Sequence, residues 1–384
     1  MSMNRKATIA ALAALTSVGL AACSGTTTSS APSSAAPASS SGAAAAFTPT
    51  CPTGQLNGGG SSAQALAMSS VIAQYQTKCA NTKVNYDGKQ GSGTGIKNFY
   101  NSQLDWAGSD AAASTKPSSD GTVEMDKIKA RCNNNPGWNL PAVVGPVTFA
   151  YNLQGVTSLN LNAQVIADIF MGKITTWNDP AIAKLNSGVT LPSTKISVMY
   201  RSDSSGTSYN VSDFLNQMAP STWTTPADKA WKGTAGEGKQ GSQGVADGIK
   251  STDGAFGYVE WKYATDSNLG IATVDSGAGP VKLTADAVSK AVSASANVVG
   301  TGGDQTVKID FKAGSATAGA YPMYLITYEI ACSAGLDASK TAVEKDFFSY
   351  LLSTPVQKSL TDQGYAPLPD SLRTKVQSSV DAIK

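Results

Sequence analysis

The sequence predicts an α/β fold in two lobes, each built on a largely parallel sheet. About 335 residues follow a low-complexity N-terminal segment, which is more than one compact core usually accommodates. In these residues, short apolar runs alternate with segments of helical periodicity. Strands that alternate with helices favour parallel sheets covered by helices on their faces.

The individual elements follow from the spacing of apolar residues. One face of a helix requires apolar residues three and four positions apart. Three sets of residues have this spacing: Met68, Val71, Ile72 and Tyr75; Val211, Phe214, Leu215 and Met218; and Val343, Phe347, Tyr350 and Leu351. Short apolar runs predict strands at 84–86, 142–151, 196–200, 256–261 and 324–330.

The N-terminal residues predict export and a lipid anchor. Residues 1–22 carry two cations and an apolar run, which is typical of a signal peptide, and they end in Leu-Ala-Ala directly before Cys23. This is the spacing of a lipobox, so we expect Cys23 to carry a diacylglycerol and an acyl chain such as palmitate. A plain signal peptide with an incidental cysteine is the alternative. Residues 23–46 lack charge and predict a flexible tether on the outer face of the cytoplasmic membrane.

The composition excludes several classes of protein. The chain has no histidine, which excludes Ser-His-Asp and Cys-His catalysis and removes the commonest zinc ligand. The 29 Lys and Arg residues fall to 27 when Arg5 and Lys6 leave with the signal peptide, which equals the 27 Asp and Glu residues. A net charge near zero argues against nucleic-acid binding. We expect no metal and no cofactor.

Four cysteines remain once Cys23 is lipidated: Cys51, Cys79, Cys132 and Cys332. An even number in an exported protein predicts two disulfide bonds, although four cysteines allow three pairings. A thiolate metal site is the alternative, but the spacing contains no C-x-x-C pair.

A polar cluster follows the predicted strand at 196–200. The residues RSDSSGTS, 201–208, lie between this strand and a predicted helix. A serine nucleophile, an anion-binding loop and an ordinary polar turn are all compatible with this composition. The free N–H groups at a helix start favour an anion, Gly206 permits close approach, and Arg201 offers a planar fork for two oxygens.

Two other loops repeat this arrangement. GKQGSGTGIKNF at 88–99 follows the strand at 84–86, and GGGSSAQ at 58–64 precedes the first helix. Three Gly/Ser/Thr-rich loops at helix starts predict a site for a small oxyanion held by neutral donors. The sequence lacks the P-loop pattern and a correctly placed G-x-G-x-x-G, so a nucleotide is poorly supported.

Motifs along nearly all of the folded chain resemble the phosphate-specific solute-binding proteins of ABC phosphate importers. These motifs are QLNGGGSS, VNYDGKQGSGTG, DWAGSD, PAVVGPVTFAYN, IFMGKITTWNDPAIAKLN, YRSDSSGTS, GAFGYVEW and GYAPLPDSL. The resemblance implies phosphate ligands at Ser62, Ala63, Ser92, Asp110, Arg201, Asp203, Ser205, Gly206 and Thr207. The family usually has Thr-Phe where this chain has Ser62-Ala63. By residue type alone, Asp110 would serve as a helix cap and Asp203 as a turn residue.

The resemblance also implies an architecture and a role. It implies a periplasmic-binding-protein-like fold with a hinge and mixed sheets, in which lobe I comprises 47–148 and 264–384 and lobe II comprises 149–263. Phosphate would bind with high affinity in the cleft of a monomer that is not an enzyme. The closed form would dock on an ABC permease. Because the strands at 142–151 and 324–330 would share the sheet of lobe I, we expect the pairs Cys51–Cys79 and Cys132–Cys332.

Two alternatives from other classes remain. A secreted hydrolase could use Ser205 or Ser208 as its nucleophile, but it would need a base other than histidine, such as a lysine near the loop. A surface protein with a structural or adhesive role would bind no small ligand.

Overall fold

A mixed sheet of nine strands organises the chain. The computed structural model describes residues 47–118 and 120–384. The strands in this part of the chain are β1 (Gly54–Gly60), β2 (Thr82–Asp87), β3 (Trp106–Ser109), β4 (Gly137–Asn152), β5 (Asn160–Asn162), β6 (Ser197–Arg201), β7 (Glu237–Lys239), β8 (Ala255–Glu260), β9 (Gly270–Ile271), β10 (Thr273–Asp275), β11 (Pro280–Val281), β12 (Ala296–Val298), β13 (Val307–Ile309) and β14 (Tyr324–Cys332).

Helices cover the sheet and connect its strands. They are α1 (Ala65–Lys78), α2 (Ser92–Tyr100), α3 (Glu124–Arg131), α4 (Ala163–Phe170), α5 (Pro180–Leu185), α6 (Gly206–Met218), α7 (Gly241–Ser251), α8 (Trp261–Asp266), α9 (Ala285–Ser295), α10 (Phe311–Ala316), α11 (Ala338–Leu352), α12 (Thr354–Thr361) and α13 (Asp370–Asp381).

The main sheet has the strand order β2-β1-β3-β14-β4-β8-β6-β7, and β9 pairs with β4. The pairs at both ends are parallel, namely β1 with β2 and β3, and β6 with β7 and β8. The central strands β14, β4 and β8 are antiparallel. The predicted α/β fold with mixed sheets is therefore confirmed, with its parallel strands at the two ends of the sheet.

The strand β4 belongs to both halves of this sheet. Its first residues, from Gly137 to Pro146, pair with β14, and its last residues, from Val147 to Asn152, pair with β8. Nearly all of its side chains are buried, as expected for an apolar run with helices on both faces.

The predicted strands and helices match the observed elements closely. Strands 84–86, 142–151 and 324–330 lie within β2, β4 and β14, and the other two differ from β6 and β8 by one residue at each end. The three helical patterns lie in α1, α6 and α11.

Nine of the fourteen strands in the described residues were not predicted, and β1 and β3 are the longest of these. β1 ends in three glycines, and such a run is typical of a loop rather than a strand. The structure gives a packing reason for Gly58, because a Cβ atom there would lie 2.1 Å from Cε2 of Trp106. The indole of the neighbouring strand therefore occupies the space that a side chain would need.

Both predicted disulfide bonds are present. Cys51–Cys79 joins the segment before β1 to the C-terminus of α1, and Cys132–Cys332 joins the end of α3 to the end of β14. Each bond ties a helix to its own part of the sheet.

The predicted signal peptide at 1–22, the lipidated Cys23 and the tether to residue 46 lie outside the described residues. None of the described helices combines the length and hydrophobicity needed to span a bilayer.

Candidate functional site

The loops that follow β1, β2, β3 and β6 meet at one edge of the sheet, as the carboxyl ends of its parallel strands require. Asp110, directly after β3, lies at their centre. Its carboxylate accepts hydrogen bonds from Ser61 Oγ and, at 3.2 Å, from Ser92 Oγ. Its backbone oxygen accepts a hydrogen bond of 2.6 Å from the Asn210 amide on α6. Residues from three other parts of the chain, the loop after β1, α2 and α6, are therefore held together around Asp110.

Asp110 is almost fully buried, with 3% of its surface exposed. Burial raises the pKa of its carboxyl group to about 7, and the nearby charge of Glu260 adds to this, although hydrogen bonds from Ser61 and Ser92 oppose it. Near neutral pH the group can therefore either donate or accept a proton.

Arg201, the last residue of β6, supplies the cation of the site and is 2% exposed. The Asp203 carboxylate accepts two hydrogen bonds from the Arg201 guanidinium: Nε donates to Oδ1 at 2.7 Å, and Nη2 donates to Oδ2. The Gly241 N–H also donates to Asp203 Oδ1, at 3.1 Å. Although burial opposes the charge, this pairing raises the pKa of Arg201 and lowers that of Asp203. Asp203 thus fixes the orientation of Arg201 and leaves Nη1 for other partners.

Nη1 of Arg201 faces two hydroxyl groups. Thr207 Oγ1 lies 3.4 Å away and Ser242 Oγ lies 3.2 Å away. Thr207 Oγ1 in turn donates a hydrogen bond of 2.6 Å to Glu260 Oε1. Glu260 is buried, and its Oε2 atom has no hydrogen-bond partner among the described residues.

The helix α6 begins in the same cluster. Ser205 is its N-cap, and Ser205 Oγ accepts the Ser208 N–H at 3.2 Å. The N–H groups of Gly206 and Thr207 begin the helix, and in the described part of the chain they have no acceptor. A Cβ atom on Gly206 would lie 2.6 Å from Asp110 Cβ and 2.7 Å from Ser92 Oγ. Glycine is therefore required for α6 to approach the loops around Asp110 this closely.

The loop after β1 contacts the start of α7. Ser62 Oγ lies 2.8 Å from Ser242 Oγ and accepts the Ser242 N–H at 3.1 Å. The Ser62 backbone oxygen accepts a hydrogen bond from the Tyr263 hydroxyl at 2.8 Å. The Ala63 N–H donates to Ser61 Oγ at 3.1 Å.

All of the residues implied by the resemblance thus lie in one buried cluster. Some of their polar groups already have partners within the protein: Asp203 holds Arg201, the Ser205 hydroxyl caps α6, and the Ala63 N–H binds Ser61. The described residues contain no group of three or more side chains arranged to hold a metal ion.

Four residues of the cluster were not predicted: Ser61, Asn210, Glu260 and Ser242. Asn210 lies two residues after the RSDSSGTS loop. Ser61 and Glu260 lie inside motifs already singled out, GGGSSAQ and GAFGYVEW, but their side chains were not considered. Ser242 follows GEGKQG, a fourth Gly-rich segment at a strand-to-helix junction, between β7 and α7. That recurrence is the sequence signal that could have identified it.

A cluster of aromatic side chains packs next to the site. Tyr258 on β8 lies 4.8 Å from Trp231 and 5.8 Å from Phe170 between ring centroids. Its hydroxyl accepts the Arg201 N–H at 3.1 Å and lies 2.7 Å from Ser208 Oγ. The hydrophobic core therefore fixes both the end of β6 and the start of α6.

The arrangement can bind a small anion. It offers one guanidinium, several hydroxyl groups and the N-terminus of α6 in a buried place, together with a carboxyl group that can exchange a proton. The Ser205 hydroxyl caps a helix, and Lys229, whose backbone oxygen binds the Ser205 N–H, has its ammonium 2.7 Å from Glu124. No contact in the described residues activates Ser205 as a nucleophile.

Comparison with known proteins gives consistent matches. The family model of the PBP superfamily domain matches residues 35–355. Phosphate-binding protein PstS2 of Mycobacterium bovis (strain BCG / Pasteur 1173P2) is 37% identical over 331 residues, covering 86% of this chain and 87% of that protein. Phosphate-binding protein PstS 3 of Mycobacterium leprae is 37% identical over 330 residues, covering 85% and 86%.

Solved structures share the fold. A high affinity periplasmic phosphate-binding protein, PfluDING, aligns with a TM-score of 0.63 at 23% identity, over 85% of this chain and 93% of that one. A phosphate-binding protein from Stenotrophomonas maltophilia aligns with a TM-score of 0.60 at 21% identity, over 85% and 94%.

Proposed function

The chain belongs to the PstS phosphate-binding proteins of the PBP superfamily, and on this premise we propose that it binds inorganic phosphate at the cluster around Asp110 and Arg201 for delivery to an ABC-type importer. The observation that carries this proposal is the burial of one oriented guanidinium beside hydroxyl groups and a helix N-terminus. Such a site favours a small tetrahedral oxyanion, which can accept hydrogen bonds from all sides.

Each binding residue has a defined part in this proposal. Nη1 of Arg201 and the N–H groups of Gly206 and Thr207 donate to the anion. The hydroxyl groups of Ser62 and Ser205 add donors. On binding, the Ser92 hydroxyl turns from Asp110, the Thr207 hydroxyl from Glu260 and the Ala63 N–H from Ser61 to the ligand. The Asp110 carboxyl group binds the P–OH group. Asp203 acts through Arg201, whose orientation it fixes.

The two lobes of the proposal are 47–148 with 264–384, and 149–263. Three contacts support a closed arrangement of these parts: Gly93 N–H to the Ser204 oxygen at 2.9 Å, Asn210 to the Asp110 oxygen at 2.6 Å, and Lys229 to Glu124 at 2.7 Å. The hinge lies in β4, where its partner changes from β14 to β8. Phosphate would enter when these contacts open and would be enclosed when they form again.

The proposal also includes a lipid anchor on Cys23 and an ABC permease as the partner. A lipid on Cys23 holds the monomer at the outer face of the cytoplasmic membrane, from which the closed form docks on its ABC permease and releases phosphate unchanged. Replacement of Cys23 by alanine should release the protein from the membrane fraction, because the tether at 24–46 has no apolar surface of its own. Unchanged membrane retention of this variant would contradict the lipid anchor.

Calorimetric titration tests the function itself. The Cys23→Ala protein, purified without membrane, should bind phosphate and arsenate with one site per chain and, at a pH above the pKa of Asp110, should not bind sulfate. A surface protein with an adhesive role would show no saturable heat with any anion. A hydrolase would release product from a chromogenic ester and lose this activity in a Ser205→Ala variant.

A further inference from the structure

Ser242 connects the cation of the site to the loop after β1. It is 1% exposed and is the second residue of α7. Its Oγ atom accepts a hydrogen bond of 3.2 Å from Arg201 Nη1 and lies 2.8 Å from Ser62 Oγ. Its N–H donates to the same Ser62 Oγ at 3.1 Å. The three residues thus form a continuous buried chain of hydrogen bonds.

The Ser62–Ser242 pair has two hydroxyl protons, and one of these protons has no acceptor among the described residues. Each oxygen already accepts an N–H group, from Arg201 in the case of Ser242 and from Ser242 in the case of Ser62. One of the two hydroxyl protons lies between the oxygens. No described residue accepts the other proton. A buried donor needs an acceptor, so the pair has room for one acceptor atom from outside the protein.

The charge of Arg201 decides which hydroxyl group keeps the spare proton. A hydrogen bond from a guanidinium draws electron density from Ser242 Oγ and makes its own proton the better donor. Ser242 therefore donates to Ser62. Ser62 Oγ then accepts from both the hydroxyl and the N–H group of Ser242, and its own proton is free.

We propose that Ser242 is a positioning residue for phosphate. Its hydroxyl group accepts a hydrogen bond from Arg201 and donates one to Ser62, so that the Ser62 hydroxyl donates its own proton to the anion. This inference rests on the proposed function and adds a residue to it. Because Ser62 belongs to proposed lobe I and Ser242 to proposed lobe II, the chain forms only when the lobes close. Ser62 therefore accepts the two hydrogen bonds from Ser242, which direct its own proton to the anion, only in the closed form.

The N-terminus of α7 strengthens this assignment. Its first residue, Gly241, donates its N–H to Asp203, and its second residue donates its N–H to Ser62. One helix end therefore fixes both the carboxylate that orients Arg201 and the hydroxyl that faces the ligand. A shift of α7 would disturb both ends of the chain together.

The test is a double-mutant cycle in the Cys23→Ala protein, with phosphate as the probe. Ser242→Ala should weaken phosphate binding about tenfold, mainly through faster release, and Ser242→Thr, which keeps the hydroxyl, should restore most of the affinity. Ser251→Ala, at the exposed far end of α7, serves as the control and should leave the affinity unchanged. In a Ser62→Ala background, Ser242→Ala should cause less than about a twofold further loss.

The outcomes separate this inference from the function. If the parent protein does not bind phosphate, the proposed function itself is wrong. If the parent binds and Ser242→Ala binds equally well, only the role of Ser242 is overturned. Equal losses in the presence and absence of Ser62, or a loss matched by a lower melting temperature without phosphate, would make Ser242 an independent or merely structural residue and would also overturn the proposal.

Discussion

We expect Asp110 to be the residue that distinguishes phosphate from sulfate. Near neutral pH phosphate keeps at least one proton and sulfate keeps none, so a carboxylate accepts a hydrogen bond from phosphate and repels sulfate. A buried acceptor that needs a ligand hydroxyl can reject the analogue without it by about 10⁴. Asp110→Asn removes the charge and adds a donor. We expect it to narrow the ratio of phosphate to sulfate affinity, as measured by competition against labelled phosphate.

The pKa of Asp110 adds a pH dependence to this prediction. Because burial raises this pKa to about 7, the group carries a proton below that pH and can donate it to a sulfate oxygen. Sulfate competition should therefore increase from about pH 8 to about pH 5.5 in the wild type, and it should be independent of pH in Asp110→Asn. A flat profile in the wild type would contradict the assignment.

Arg201 provides the charge of the site. Arg201→Ala should weaken phosphate binding by about 2–4 kcal/mol, because a charge-assisted contact is lost from a closed site. The matched control is Lys239→Ala, since Lys239 lies beside Arg201 in register on β7 and its ammonium contacts Glu237 instead. A loss smaller than about threefold in Arg201→Ala, measured by calorimetry, would show that the hydroxyl and N–H dipoles suffice.

Much of the site was predictable because its residues lie at fixed positions in local motifs. Arg201 and Thr207 belong to one strand-to-helix loop, so sequence order alone brings them together. Ser242 and Glu260 could not be placed in this way. They reach the cluster from β7–α7 and β8, about 40–60 residues from Arg201, through sheet pairing that no local pattern specifies.

The start of α6 packs directly against the loops of β2 and β3, with no space for a side chain at its first position. Gly206→Ala should hold these parts of the molecule apart, because the added Cβ atom would overlap Asp110 and Ser92. We expect the closed form to lose about 1–3 kcal/mol, seen as weaker phosphate binding. The N–H donor of residue 206 is retained, so the effect reports packing.

A glycine in α7 provides the control for this experiment. A Cβ atom on Gly244 would meet Lys239 at 3.7 Å, an ordinary van der Waals distance. Gly244→Ala should therefore preserve phosphate affinity and slightly stabilise the helix. Equal affinity in both alanine variants would show that the close approach at Gly206 is not needed for binding.

Elements with strong periodicity or long apolar runs, such as α6 and β4, were predicted to within a few residues. The strands β1 and β3 were not, because the glycines of β1 and the four-residue length of β3 give no periodic signal. Tertiary pairing with β14 and β2 forms these strands. Likewise, the insertion of β14 between β3 and β4 depends on contacts between residues far apart in sequence.

The whole molecule contains buried carboxyl groups that should make it less stable at alkaline pH. Burial raises the pKa values of Glu329 and Glu344 to about 8, well above the ordinary value near 4.5. The folded state therefore binds more protons than the unfolded state between these two values. Their stabilising contribution is complete below about pH 4.5 and is lost as the pH rises through about 8.

Thermal unfolding without phosphate measures this effect. The melting temperature should fall between about pH 6 and about pH 9. Glu344→Gln should flatten the slope, because both oxygens of Glu344 are buried without a hydrogen-bond partner among the described residues, and glutamine removes the titration while keeping the shape. A melting temperature that rises over this range would contradict the prediction.

Because β4 belongs to both parts of the main sheet, it affects how the protein unfolds. Two lobes that share only a linker can melt one after the other, each with its own transition. Here the residues from Gly137 to Pro146 complete one part of the sheet and those from Val147 to Asn152 complete the other, so neither part can lose this strand without exposing the buried edge of its neighbour. Heating should therefore give one cooperative transition in which the calorimetric and van't Hoff enthalpies agree.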